Sequence, residues 1–307
     1  GTYPALTDAL LAQHSPRDDS SGYHELVGWR PNPADVAVPL LAGAGQMRAV
    51  GRIAGVLALG TVVRQKVIEA FSDCDAGGPE LQRVSKHLGI PVPPGTPVPD
   101  PMVVVLGSMA GGTGAGILLD VVDLIRRTDL RGAFPISVIF TPDIFKADAN
   151  PAMVANGLAM MSELMSAYWD TEISHDKLIP TQVKLDNRGP HSTFLIGRKN
   201  LNGIDLEDQR NVYRAVGECL GSWVSSISVQ ESIYNFITVN WAMNAPDNQG
   251  GYPFDIVRQP GVVSSFGAAT ISIGRDRFRD YTSKLIMREV LDGLYEGHNK
   301  KAVIELG

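Results

Sequence analysis

The chain has 307 residues, a formal net charge of −6, 44% apolar and 20% charged residues, which is ordinary globular composition with apolar material for more than one domain. The acidic balance, with no basic cluster, argues against a nucleic-acid surface. Two cysteines, Cys74 and Cys219, provide neither a disulfide framework nor a zinc knuckle. The six histidines lack metal-ligand spacing, no metal site is expected, and no apolar run has membrane length. A protein of the reducing cytoplasm without membrane insertion is expected.

Residues 1–40 carry little pattern beyond a short helix over Thr2–Gln13. A polar stretch follows, and Pro31, Pro33 and Pro39 break what comes next. Gly43-Ala44-Gly45-Gln46 reads as a small-residue loop leading into a helix over Ala49–Ile68. Asp73–Pro101, with Gly77-Gly78-Pro79 and the Pro91–Pro101 run, reads as an irregular connection.

The most informative stretch is Met102–Arg127. Met102–Leu106 is a β-branched apolar run, as in a strand buried on both faces. Ile117, Leu118, Val121, Val122, Leu124 and Ile125 then recur at helical spacing. Between them, Gly111, Gly112, Gly114 and Gly116 remove the β-carbons that would keep an anion off the backbone. Their amides and the positive end of the helix dipole then make a phosphate cradle, and Thr113 adds a hydroxyl. A P-loop is ruled out because no lysine lies between Lys86 and Lys146. A dinucleotide-binding turn lacks its spacing, and Asp143 is too far on for its ribose carboxylate.

Pro135–Phe140 is the next buried strand, with Thr141-Pro142-Asp143-Ile144-Phe145 as its exit loop. A strand–helix–strand order implies a parallel crossover whose ligand crevice lies at the carboxyl ends of the strands. Met153–Trp169 is an amphipathic helix whose methionines are read as core packing. Ser192–Ile196 is a third strand, ending near Asn200 and Asn202, either of which also suits a plain turn. Asp205–Val229 has the longest helical pattern, enough for roughly 37 Å. Asn240–Arg258 reads as an irregular loop, Ser265–Ile273 as a strand and Phe278–Leu294 as a helix.

Ala110-Gly111-Gly112-Thr113-Gly114-Ala115-Gly116 resembles the G-G-G-T-G-[ST/A]-G signature of the tubulin/FtsZ superfamily, with Ala110 at the first glycine. Gly43-Ala44-Gly45 and Gly51-Arg52 resemble the G-A-G-x-x-P-x-x-G-R segment of FtsZ, with Ala49 at the proline. That ordered match, with the WRPNP…GAGQMRAVGR lead-in, is most similar to the divergent bacterial tubulin-like proteins. The resemblance implies an α/β fold: a doubly wound, mostly parallel nucleotide-binding domain, a long central helix, and the start of a second α+β domain. On this basis residues 1–229 form the nucleotide-binding domain ending in the central helix, and residues 230–307 the linking loop and the start of the second domain. The family's first-strand G-x-G-G-x-[GN] loop has no counterpart in residues 1–40, so the chain is expected to begin inside the domain.

The implied ligand is GTP or GDP with Mg2+. The implied contacts are Gly43, Ala44, Gly45, the Ala110–Gly116 loop (Ala110, Gly111, Gly112, Thr113, Gly114, Ala115, Gly116), Pro142 and Asp143 beside the ribose, Asn156, Asn200 on the base, and Tyr213 stacking on it. Gly217 and Glu218 stand where FtsZ has the Asn-Asp pair that reads the purine. The family's acidic loop falls on Tyr252–Arg258. Pro253 and Ile256 take the places of its aspartates, which leaves Asp255 and Asp247 as catalytic candidates. The resemblance implies head-to-tail self-association into filaments, with weak or absent hydrolysis. A non-polymerising nucleotide-bound scaffold with other protein partners shares every one of these loops. A dinucleotide-dependent oxidoreductase lacks its ribose carboxylate and catalytic histidine or lysine here.

Overall fold

A computed structural model describes residues 5, 31–32, 34, 36, 39, 43–87, 89, 102–128, 134–145, 150–168, 188–200, 202–244, 263–266 and 274–305. The chain divides into two units, Gly1–Gly267 and Ala268–Gly307.

Four parallel strands form the sheet of the first unit, in the order β1 (Met102–Ser108), β2 (Phe134–Phe140), β3 (Ser192–Ile196) and β4 (Val263–Ser264). β1 pairs with β2 from Met102↔Phe134 to Ser108↔Phe140, and β2 with β3 from Ile136↔Ser192 to Phe140↔Ile196. Helix α4 (Gly112–Arg127) joins β1 to β2, and α5 (Pro151–Ala167) joins β2 to β3. Both lie on one face, where Ala115, Leu118 and Val122 of α4 and Met160 and Leu164 of α5 pack with Val105, Ile139 and Leu195. Met160 in the core, with Met161 against it, agrees with the packing role read for these methionines.

Helices α6 (Gln209–Ser225) and α7 (Ile227–Asn244) cover the opposite face. There Val212, Val216 and Trp223 meet Ile136, Val138, Phe194 and Ile196, with Ile233 and Ile237 against them. Strand alternation explains the two faces: the adjacent Val138 and Ile139 are both fully buried, one on each side. Burial of each such side chain contributes about 1.5–3 kcal/mol. The α/β class and the parallel sheet are thus as expected.

Ahead of β1, α1 (Arg48–Ala58) runs through a π-helical turn, Leu59–Val63, into α2 (Arg64–Ala76), and α3 (Gly78–His87) follows. The expected connection over 73–101 is therefore helical as far as His87. Gly77 is a one-residue break, and Pro79 sits in the first turn of α3, where a missing amide costs nothing. The long helix expected over Asp205–Val229 is two helices of 17 and 18 residues, because Ser226 is extended at φ −124° and ψ 115°. Its start moves to Gln209: Glu207 has φ 58°, the Asp208 amide donates to the Leu206 carbonyl at 2.6 Å, and Asp208 then caps the helix. Residues 240–244, read as loop, complete α7.

Of the strand expected at Ser265–Ile273, Ser265 and Phe266 are not in strand and residues 267–273 lie outside the described residues. Val263–Ser264 pairs parallel with β3 in the first sheet, and Phe266 packs on Phe194 and Trp223 at 5.4 and 5.1 Å between ring centroids. In the second unit, α8 (Arg275–Glu305) is longer than the expected 278–294 and exposes Phe278, Tyr281, Met287, Leu294 and Tyr295. Among the described residues no helix is long and apolar enough to cross a membrane.

Candidate functional site

The loop between β1 and α4 lies at the carboxyl edge of the sheet. Ser108 Oγ accepts from the Ala110 amide at 3.0 Å, and the Met109 amide donates to the Phe140 carbonyl at 3.1 Å, so the loop is tied to itself and to β2. Met109 and Ala110 are buried, and Gly111 is the extended N-cap of α4, with φ −89° and ψ 165°. The first amides of a helix have no intrahelical acceptor. Here the Gly112 amide donates to the Gly45 carbonyl at 2.7 Å and the Ala115 amide to the Gly111 carbonyl at 3.3 Å. Among the described residues, the amides of Gly111, Thr113 and Gly114 meet no acceptor. Three open donors at the positive end of a helix suit an anion.

Close packing is a further reason for three of the four glycines of this loop. A β-carbon on Gly112 would lie 2.8 Å from the backbone of Met47, and one on Gly116 would lie 2.6 Å from the Arg48 carbonyl. On the facing helix, a β-carbon on Gly51 would lie 2.4 Å from the Gly112 carbonyl, and one on Gly55 would overlap Ile117. Two glycine pairs spaced four apart thus let α1 and α4 cross at backbone contact. Gly114 is small because Ser108 O would lie 2.7 Å from its β-carbon. Only Gly111 among the four faces open space. Ala115 and Gly116 are buried along the helix rather than presented at its tip.

The Gly43–Gln46 loop stands beside this tip. Gly43 and Gly45 take φ values of 84° and 53°, a left-handed region that other residues enter at a cost. Buried Ala44 lies between them and accepts from the Met47 amide at 2.9 Å. Asn156, buried in the first turns of α5, donates through Nδ2 to the Gln46 carbonyl at 2.9 Å and the Ala110 carbonyl at 3.1 Å. Arg48, Arg52, Asp120 and Glu163, absent from the expected site, hold the helices around it. Arg48 donates twice to the Ala115 carbonyl and pairs with Glu163. Arg52 makes two 3.1 Å bonds to Asp120. Basic residues four apart on α1 were the available signal.

The remaining expected contacts are engaged in loop architecture. Asp143 accepts from the Thr141 hydroxyl and, at 2.8 Å, from the Arg198 amide, joining the exits of β2 and β3. Pro142 abuts α5: a β-carbon on Gly157 would lie 2.7 Å from its ring. Asn200 Oδ1 accepts from the Asn202 and Ile204 amides at 3.0 and 2.9 Å, the turn-forming arrangement, and leaves Nδ2 to donate. Tyr213 meets Phe140 edge-on at 5.0 Å and is 40% exposed, its hydroxyl accepting from Gln209. Beyond it, Gly217 opens onto free space. The structure thus joins Gly43–Gly45, Ala110–Gly114 and Asn156 by direct hydrogen bonds, with Pro142, Asp143, Asn200 and Tyr213 at neighbouring strand exits. Asp247 and Asp255 lie outside the described residues.

At the amino edge of the sheet, burial holds His191 near pKa 4, helped by the Arg126 charge, and burial raises the Tyr168 phenol, which bonds Thr193 at 2.8 Å. Among the described residues no group of three His, Cys, Asp or Glu gathers to hold a metal.

A family model described as tubulin like matches residues 2–292. No match is found among curated proteins or among solved structures. Strand, glycine loop and helix stand in one sheet with the second glycine loop beside them, and the family match spans both: the chain belongs to the tubulin-like protein family.

Proposed function

We propose that this chain binds a guanine nucleotide with its phosphates at the tip of α4, and associates head-to-tail with copies of itself. The observation that carries this reading is the set of open amides at Gly111, Thr113 and Gly114, on a helix tip where Gly111 alone has free space. The family relation supports the nucleotide class. Each amide would donate to a phosphate oxygen, and charge-assisted bonds of this kind contribute about 1.5–3 kcal/mol each. The exposed Thr113 hydroxyl adds a donor or a metal-directed oxygen.

The residues present fit Mg2+ as a partner of the phosphates rather than of a protein cage. Mg2+ held with the phosphates would supply charge neutralisation, and the exposed Thr113 hydroxyl would be a side-chain oxygen available to it. Tyr213 would offer its open ring to the base, and Asn200 Nδ2 would donate to a purine acceptor. Self-association is proposed as nucleotide-dependent and heterologous, a contact type that extends into filaments when it does not close. Hydrolysis is proposed as slow, because Pro253 and Ile256 stand where the family carries its aspartates.

Gly111→Asp tests the site. An N-capping carboxylate satisfies and stabilises the helix start, yet it places negative charge where phosphate would sit. The expected result is a folded protein of equal or higher Tm whose affinity for a fluorescent GDP falls at least a hundredfold, about 2.7 kcal/mol. Unchanged affinity rejects the site. Sedimentation with GTP, GDP and a non-hydrolysable analogue tests assembly, and a strict monomer in all three rejects it.

A further inference from the structure

We infer that Asn156 is a positioning residue: it fastens the Gly43–Gln46 loop and the Ala110–Gly111 loop to α5, so that the two move as one. The family resemblance places it among nucleotide contacts, but its side chain is otherwise committed. Its single amide nitrogen reaches both the Gln46 and the Ala110 carbonyls, 2.9 and 3.1 Å away, and approaches Gln46 Oε1 at 3.4 Å. These backbone acceptors are 110 and 46 residues distant in sequence, on the two loops that flank the α4 tip. A third bond, from the Gly112 amide to the Gly45 carbonyl, closes the ring of contacts.

Three further features make Asn156 the joint of this ring. It is buried, so little water competes for its amide, and a lost donor would take this bond from the buried Ala110 carbonyl. The loop that it holds contains two left-handed glycines, Gly43 and Gly45, with open space around both, so the loop lacks side chains to steady it. Seven residues on, at a spacing that returns to the same face of α5, Glu163 pairs with Arg48, whose guanidinium grips the Ala115 carbonyl. α5 therefore holds both the loop before α1 and the start of α4. Its part in binding is to present the Gly111, Thr113 and Gly114 amides in fixed geometry, which rests on the nucleotide reading above. The loop coupling itself does not.

The test is amide hydrogen exchange on the ligand-free protein, with fluorescent GDP binding alongside. In Asn156→Ala, exchange over residues 43–47 and 108–112 should rise together, by roughly tenfold for the loss of about one net hydrogen bond, while β2 and the body of α4 are unchanged. GDP affinity should fall by a similar factor, and saturating GDP should restore protection to both loops. Asn156→Asp keeps size and acceptors but removes the donor, so it should behave like Asn156→Ala or worse. Retained affinity in Asn156→Asp with lost affinity in Asn156→Ala would make Asn156 a direct ligand contact and overturn the inference. Loosening of one loop without the other also overturns it. Where Asn156→Ala does not fold, Gly43→Ala strains the first loop without touching Asn156 or the Gly45–Gly112 bond, and the second loop must loosen with it. A wild-type protein that ignores GDP but shows coupled loops would defeat the nucleotide reading alone.

Discussion

The two edges of the sheet are built from different materials. At the carboxyl edge, backbone bonds backbone in two places, Gly112 to Gly45 and Met109 to Phe140, beside the Asn156 side chain, and the amides of Gly111, Thr113 and Gly114 meet no acceptor among the described residues. At the amino edge, side chains close the structure. Asp123 and Arg127 form a buried pair at 2.8 Å, Arg126 donates to the Gly189 carbonyl, and Tyr168 bonds Thr193. The second edge pairs its buried charges, with Ser192 Oγ left buried without a partner, whereas the first keeps open donors at its tip. Open donors at a helix tip are met by water or by a ligand, whereas most buried ones are paired within the fold. The contrast therefore separates the edge that serves stability from the edge free to serve binding.

Three substitutions sharpen or break this division. Asp123→Ala should have the largest effect, because removing one partner of a buried ion pair costs about 3–5 kcal/mol. Denaturant unfolding should show that loss, while GDP affinity of the folded fraction stays at the wild-type value. A selective loss of affinity would mean that the two edges are not separable.

The acid response of the amino edge comes next. Burial holds His191 neutral down to about pH 4, against an ordinary value of 6.5. The unfolded chain therefore takes up a proton between those values and the folded chain does not, so stability falls as pH drops from about 6.5 to about 4 and is unaffected above that window. The full loss is about 3 kcal/mol. His191→Gln should flatten this limb of the stability–pH curve, as followed by chemical denaturation at several pH values. An unchanged slope would mean that His191 is not the responsible group.

Gly112→Val should have the smallest effect, about 1–3 kcal/mol. Its side chain meets the Met47 backbone rather than a ligand, so thermal unfolding should register it. If Tm is unchanged while GDP affinity collapses, Gly112 faces the ligand after all and the crossing of α1 on α4 is misread.

The unit Met102–Arg127 was legible because its signals are local: a β-branched run, a glycine break, then apolar residues at helical spacing. β2, its exit loop, α5 and β3 were legible for the same reason. The close packing of the glycines was not. Gly112 and Gly116 answer to Met47 and Arg48, more than sixty positions earlier, and no periodicity records that contact. Asn156 was found by its place in a motif, but its bonds run to main-chain carbonyls that have no residue identity to read. The end of α6 at Ser226 and the docking of Val263 on β3 are likewise set by tertiary packing, against a helical pattern that continues across Ser226. Of the catalytic candidates, Asp247 and Asp255 lie beyond the described residues.

The π-helical turn at Leu59–Val63 bears on how this protein can change over time. One extra residue in a helix rotates everything beyond it by roughly 100°. Before the turn, Val50, Ile53 and Val56 are fixed against their neighbours, whereas α2, beyond it, buries no residue. The turn separates a half of the helix that packs beside the cradle from a half that buries no residue. Sequence drift, insertions and altered charge in Arg64–Ala76 should therefore be tolerated among relatives that keep Gly51, Gly55 and their counterparts on α4 unaltered.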